Sequence, residues 1–296
     1  MRFSKKPFNR VRFYRMVAVA LVFTLVFSYV AISVYGALAL TTSGNRDLGP
    51  DTPAMYGLAY ENVTFKTAAQ DGLNLRGWLI PDAKTRRVLI LVPGQGGKRT
   101  DQLVLSKTFW DNGFNLLYMD PRGHGQSDGD HHTFGQYEQW DVIGAVNFLK
   151  GKGFKPENIG VIGWSMGAAT ALLAIGQTPD IKAVVSDSGY ADLTSMHGIF
   201  SPGIMIASRL LRGIDTTQVK PEEALRKLGQ RHVLVIHGDQ DRNVPVSNAY
   251  RLQQAGGATQ VELWVLPGVG HVGAYGSQPD EYMRRVTTFF NQELEP

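Results

Sequence analysis

The sequence predicts an α/β domain built on an eight-stranded, mostly parallel sheet with flanking helices. Two observations carry that prediction. Across residues 59–296, short apolar runs alternate with longer amphipathic stretches, the pattern of strands joined by crossover helices. Glycine is abundant, 33 of 296 residues with no triplet period, as a fold with many tight turns requires. At 43% apolar and 19% charged, the chain has an ordinary globular balance and enough length to bury a large core.

Taken in order, 63–66 and 75–80 read as an opening antiparallel pair. The run 88–92 is continuously apolar, as a strand covered on both faces must be. Strands follow at 114–119, 159–163, 183–186, 233–237 and 261–266, giving eight. Helical patterns fill the gaps; in 137–150, Trp140, Ile143, Val146, Phe148 and Leu149 supply the apolar stripe. One gap breaks the alternation: residues 189–220, with Met196, Phe200, Ile204, Met205 and Leu210, read as a small cap over the carboxyl ends of the strands.

Ahead of this domain (59–296) the chain has three further parts. Residues 1–15 form a basic tail, and residues 1–40 hold six Lys/Arg and no acid. Residues 16–40 contain neither charge nor proline; as a helix they extend roughly 37 Å, beyond the ~30 Å hydrocarbon core of a bilayer. Residues 41–58 are polar and rich in Gly and Pro, as a linker is. The segment 16–40 is read as an uncleaved membrane anchor, with the basic tail holding the N-terminus in the cytoplasm and the domain outside. The alternative is secretion after cleavage near Ala39, because Ala37-Leu38-Ala39 fits a small-x-small site.

The composition also excludes. The chain lacks cysteine, which removes disulfide frameworks, thiolate nucleophiles and Cys-based metal sites. Outside the first 40 residues the net charge is −2, so no basic face is expected for nucleic acid. His131-His132 point apart and have no third ligand at helical spacing, so no metal is expected, and no cofactor is implied.

The pattern G-x-S-x-G occurs twice, around Ser127 and around Ser165. A nucleophile elbow needs a strand before the serine and a helix after it. Ser165 follows Ile159-Gly-Val-Ile-Gly and precedes a run of small and apolar helix formers, whereas Ser127 runs into a polar loop. Ser165 is therefore the candidate nucleophile. Its hydroxyl needs a base to take the proton, and His271, just past the last strand, falls at the carboxyl edge where open α/β sheets place their sites. The orienting acid belongs to the preceding loop, which offers Asp239 and Asp241; Asp241, further along, is favoured. Backbone N–H groups at Met166 and at Gln95, in the loop after the third strand, are the expected oxyanion donors. Trp164, Tyr190, Met196 and Phe200 are candidate pocket walls. His124 and His237 are read as turn-holding residues.

With these motifs in order, PGQGG at 93–97, DPRGHGQSDG at 120–129, GWSMG at 163–167 and HGDQDRNVP at 237–245 followed by His271, residues 60–291 resemble the α/β-hydrolase superfamily, close to its serine aminopeptidase and monoacylglycerol-lipase-like branch. The branch commonly has His-Gly where this chain has Pro93-Gly94. The resemblance implies that the second aspartate of the HGxxD motif, Asp241, is the triad acid. It also implies a serine hydrolase acting on carboxylic esters or thioesters, small or lipid-derived. Two rivals remain: an aminopeptidase-like amidase, whose amine pocket would draw on Asp187, Asp192 and Asp215, and a catalytically silent binding domain.

Overall fold

In a computed structural model, which describes residues 8–193 and 201–295, the chain divides into two units. The first comprises the described parts of Met1–Leu40 and Met196–Ile214; the second comprises Thr41–Ser195 and Asp215–Pro296.

The first unit contains helix α1, Arg10–Thr41, whose start is capped by Asn9: its side-chain oxygen accepts from the Arg12 N–H at 3.0 Å. The helix is long and apolar enough to cross a membrane. Its hydroxyls bond back within the helix, Thr24 to the Ala20 carbonyl at 2.9 Å and Ser33 to the Tyr29 carbonyl at 2.8 Å.

The second unit is the α/β domain. In chain order its elements are β1 (Glu61–Lys66), β2 (Asn74–Ile80), β3 (Val88–Val92), α2 (Ser106–Asp111), β4 (Asn115–Asp120), α3 (Glu138–Gly151), β5 (Ile159–Trp164), α4 (Met166–Gln177) and β6 (Ala183–Asp187). The first unit's α5 (Ser201–Arg212) follows, and the domain resumes with α6 (Pro221–Leu225), β7 (His232–Gly238), α7 (Ser247–Gly256), β8 (Val261–Leu266), α8 (Ala274–Ser277) and α9 (Pro279–Glu293). Among the described residues, eight strands form one sheet in the order β1-β2-β4-β3-β5-β6-β7-β8. Strand β2 is antiparallel to β1, as expected from the sequence, and also to β4, and every other pair is parallel.

Buried side chains lie on both faces of the sheet. On one, Val88, Ile90, Val161 and Val184 join the helical residues Val142, Val146, Leu172 and Ile175; on the other, Leu89, Leu91, Ile162 and Val185 meet Phe109, Tyr282, Val286 and Phe290. Coverage on both faces is why β3 reads as an unbroken apolar run. The register brings the strand ends level: Val92 pairs with Gly163, Trp164 with Asp187, Asp187 with Ile236, and Gly238 with Leu266. Every loop that leaves these ends therefore emerges at one edge.

The 120–129 motif folds into a turn held by buried charges. Asp120 accepts from the backbone N–H groups of Arg99 and Gln126 at 2.8 and 2.9 Å. The Arg122 guanidinium forks onto Asp141 at 2.7 and 3.0 Å. Ser127, the first of the two G-x-S-x-G serines, is consumed here: its hydroxyl accepts from the Arg76 N–H at 2.8 Å and donates to the Asp120 carbonyl.

Candidate active site

Ser165 sits between β5 and α4 with φ 54° and ψ −116°, a left-handed conformation that few non-glycine residues adopt. The turn is so tight that a Cβ on Gly163 would lie 2.2 Å from the Gly167 carbonyl oxygen, and one on Gly167 would lie 2.3 Å from that of Val92. Both flanking glycines are thus required by contact. The Ser165 N–H donates to the Asp187 carbonyl at 2.8 Å, which fixes the turn against the end of β6.

His271 Nε2 lies 2.8 Å from Ser165 Oγ, and its Nδ1 lies 2.6 Å from Asp241 Oδ2. The three candidates from separate loops therefore meet in one relay. Asp241 is buried, and its Oδ1 accepts from the Asn243 and Val244 N–H groups at 2.9 Å each. Burial alone would raise the Asp241 carboxyl. The hydrogen bonds from His237, His271 and the Val244 N–H outweigh it and hold the group well below the usual carboxylate range. His237 is fully buried 3.4 Å from Asp241 Oδ2, and its Nε2 also lies 2.8 Å from the Val244 carbonyl. Asp239 faces elsewhere, accepting from the Gly268 N–H at 2.7 Å and so shaping the turn ahead of His271.

The loop with Gln95 lies beside the nucleophile: a Cβ on Gly94 would stand 3.3 Å from that of Ser165. His124 secures this loop. Its Nε2 accepts from the Gly96 N–H at 3.1 Å while Nδ1 donates to the Arg122 carbonyl at 2.8 Å, and burial pushes its pKa down, keeping the ring neutral. Met166 opens α4, so its N–H belongs to the unsatisfied first turn of a helix.

Of the candidate pocket residues, Trp164 is half-buried at the end of β5 and donates to the Tyr282 hydroxyl at 3.1 Å. Tyr190 is buried and donates to the Phe134 carbonyl at 2.7 Å. Met196 and Phe200 lie outside the described residues.

Sequence reasoning missed a support behind the histidine. Asp187 is fully buried at the end of β6 and accepts from the Ser188 hydroxyl at 2.9 Å. Ser188 Oγ in turn accepts from the N–H of Val272, the residue after His271, at 3.0 Å. Both Ser188 (φ 59°) and Val272 (φ 52°) are left-handed. The Ser188-Gly189 pair directly after a strand was the available signal, though a weak one. In chemical terms the arrangement holds a hydroxyl, a base and a buried anion in line beside a helix N-terminus, as acyl transfer requires.

The family model described as the prolyl oligopeptidase family matches residues 103–296. The Bacillus subtilis protein YqkD is 28% identical over 245 residues, which are 78% of this chain and 80% of that one. The mouse serine hydrolase BPHL is 26% identical over 268 residues, 80% of this chain and 88% of its own length. Among solved structures, the Pyrococcus furiosus esterase Pf2001 superposes with a TM-score of 0.71 at 25% identity, covering 86% of this chain and 99% of the esterase.

Proposed function

The chain belongs to the prolyl oligopeptidase family, with the α/β-hydrolase fold of a hydrolase, and we propose that it cleaves carboxylic esters or thioesters through Ser165, His271 and Asp241. The observation that carries this reading is the unbroken relay, 2.8 Å from hydroxyl to imidazole and 2.6 Å from imidazole to carboxylate. Ser165 Oγ attacks the carbonyl carbon while His271 Nε2 takes the hydroxyl proton. Asp241, held anionic, keeps Nδ1 protonated and stabilises the imidazolium. The N–H groups of Met166 and Gln95 receive the oxyanion. His271 returns the proton to the leaving group, and a water then attacks the acyl-enzyme by the same route. The esterase Pf2001 supports the choice of ester substrates. The motif order also fits the serine aminopeptidase and monoacylglycerol-lipase-like branch.

A second reading, an amidase, is favoured by the peptidase family itself. The acids that such an enzyme would turn toward a substrate amine are otherwise engaged. Asp187 is buried, Asp192 pairs with Arg251, and Asp215 bonds the Thr217 N–H and hydroxyl at 3.1 and 2.6 Å.

Residues 16–40 act as an uncleaved anchor in this reading, with the basic tail cytoplasmic. The charge-free run 16–40 lies within α1, Arg10–Thr41, a helix long and apolar enough to cross a membrane. The test is labelling of membrane and soluble fractions with a fluorophosphonate probe, followed by ester and aminoacyl-arylamide substrates. The label should reside on Ser165 in the membrane fraction, and Ser165→Ala should abolish it and lower kcat at least about 10³-fold. Undiminished p-nitrophenyl ester hydrolysis by Ser165→Ala would end the proposal. A clear preference for arylamides would select the amidase.

A further inference from the structure

Helix α5 contradicts its surroundings. It leaves Ile206, Leu210 and Leu211 exposed by 61%, 79% and 52%, although Ala207 and Ser208, which flank Leu211 around the helix, are buried. Ile206 and Leu210 are four residues apart and share a face, which Arg209 borders. Such a patch is costly in water.

The buried side of α5 packs on α1. A Cβ on Gly203 would fall within 2.1 Å of Ser33 Oγ, and the Ile204 side chain lies 2.9 Å from where a Cβ of Gly36 would be. Ser33 and Ala37 are 3% and 0% exposed, whereas Tyr35 between them is 75% exposed. Small residues at spacings of three and four thus admit α5 to one face of α1, as between helices in lipid, and leave the others bare. The two helices share one apolar surface, and whatever covers α1 continues onto α5.

Depth agrees. Ser33–Ala37 lie about 5–11 Å along the axis from Leu40, the end of the apolar run, at ~1.5 Å per residue. An amphipathic helix in a membrane interface sinks about 5–10 Å. Arg209 and Arg212 put the charge of α5 in its last turn and leave its first two turns uncharged. We propose that α5 is a second membrane-contacting element, lying in the bilayer interface beside α1 with Ile206, Leu210 and Leu211 in lipid. The inference rests on the reading of α1 as a retained anchor.

The absence of cysteine makes the test clean. Full-length protein carrying Leu210→Cys, Leu211→Cys or, separately, Phe23→Cys is labelled with an environment-sensitive fluorophore and reconstituted in phosphatidylcholine–phosphatidylglycerol vesicles. Quenchers attached high or low on the acyl chain are compared with aqueous iodide. The labels at 210 and 211 should lose at least half their emission to the shallow lipid quencher and little to iodide. The label at 23, mid-span, should respond to the deep quencher. If 23 is quenched in lipid while 210 and 211 answer only to iodide, α5 faces water and the inference fails with the anchor intact. Quenching of 210 and 211 by neither agent means a protein surface, in this chain or a second copy, covers them, and overturns it equally. A label at 23 untouched by lipid quenchers removes the anchor itself.

Discussion

Asp187 offers the sharpest quantitative test. Its side chain is fully buried, one oxygen accepting from Ser188 and Oδ2 lacking a hydrogen bond of good geometry. Burial pushes its carboxyl up to about 6, against the opposing pull of the Ser188 and Tyr282 hydroxyls and of His237 and His271. In the unfolded chain an aspartate titrates near ~3.9. Between about pH 4 and 6 the folded protein therefore binds more protons than the unfolded, and stability falls as pH rises through that window. A gap of about two pH units corresponds to about 3 kcal/mol, absent below pH 4 and fully expressed above pH 6. Asp187→Asn keeps the shape and the oxygen that Ser188 needs, and removes only the ionisation. Denaturant unfolding of both proteins in the same detergent micelles should show them matched near pH 4. At pH 8 the variant should be more stable by up to about 3 kcal/mol. An equal stability difference at both pH values, or one that turns against the variant as pH rises, would refute the assignment of a buried, strained anion at this position.

Three other outcomes are expected. Asp241→Asn should lower kcat about 10³–10⁴-fold by allowing the wrong imidazole tautomer, while Asp239→Asn should cost less than tenfold in the same ester assay, since the Asp239 carboxylate accepts from the Gly268 N–H while His271 is bonded to Asp241. Ser188→Ala frees the Val272 N–H and should cost about 1–2 kcal/mol in denaturant unfolding, with kcat falling more than KM changes as His271 loses its rest position. Gly167→Ala forces a Cβ to within 2.3 Å of the Val92 carbonyl oxygen; it should destabilise the fold by about 3 kcal/mol or more in thermal unfolding and abolish fluorophosphonate labelling.

Much of this molecule is legible in its sequence because a parallel sheet covered on both faces leaves an unmistakable trace. Runs such as Val88–Val92 can be little else, and the strand before and the helix-forming run after Ser165, which Ser127 lacks, mark which of two serines sits in a forced turn. The relay residues follow, since each must leave the carboxyl end of a strand. Asp239 and Asp241 were harder to separate, being two residues apart in one loop. Only the structure shows the first turned toward Gly268 and the second toward the imidazole. Contacts between residues far apart in sequence were invisible. The Ser188–Val272 bond spans 84 positions. Residues 41–58 look merely polar, yet Arg46 among them donates to the Gly125 and Gly129 carbonyls at 2.9 and 2.8 Å. Nor does an amphipathic pattern say which way its apolar face turns: for α5, burial inward and exposure outward produce the same string of residues.

Three residues at this edge break the local rules together. Ser165, Ser188 and Val272 are all non-glycine and all left-handed, at φ 54°, 59° and 52°. Each such conformation costs about 1–3 kcal/mol unless its surroundings fix it. Each is fixed through its own N–H: Ser165 to the Asp187 carbonyl at 2.8 Å, Ser188 to the Ile236 carbonyl at 2.9 Å, and Val272 to Ser188 Oγ at 3.0 Å. The bonds run sideways, from the end of β5 to β6, from β6 to β7, and from β6 to the loop bearing His271. Strain that would be a defect in an isolated turn becomes a lateral lacing, because every strained residue is bonded to a neighbouring strand end or to the residue that closes it. The hydroxyl and the imidazole thus approach to 2.8 Å because the backbone on either side has nowhere else to go.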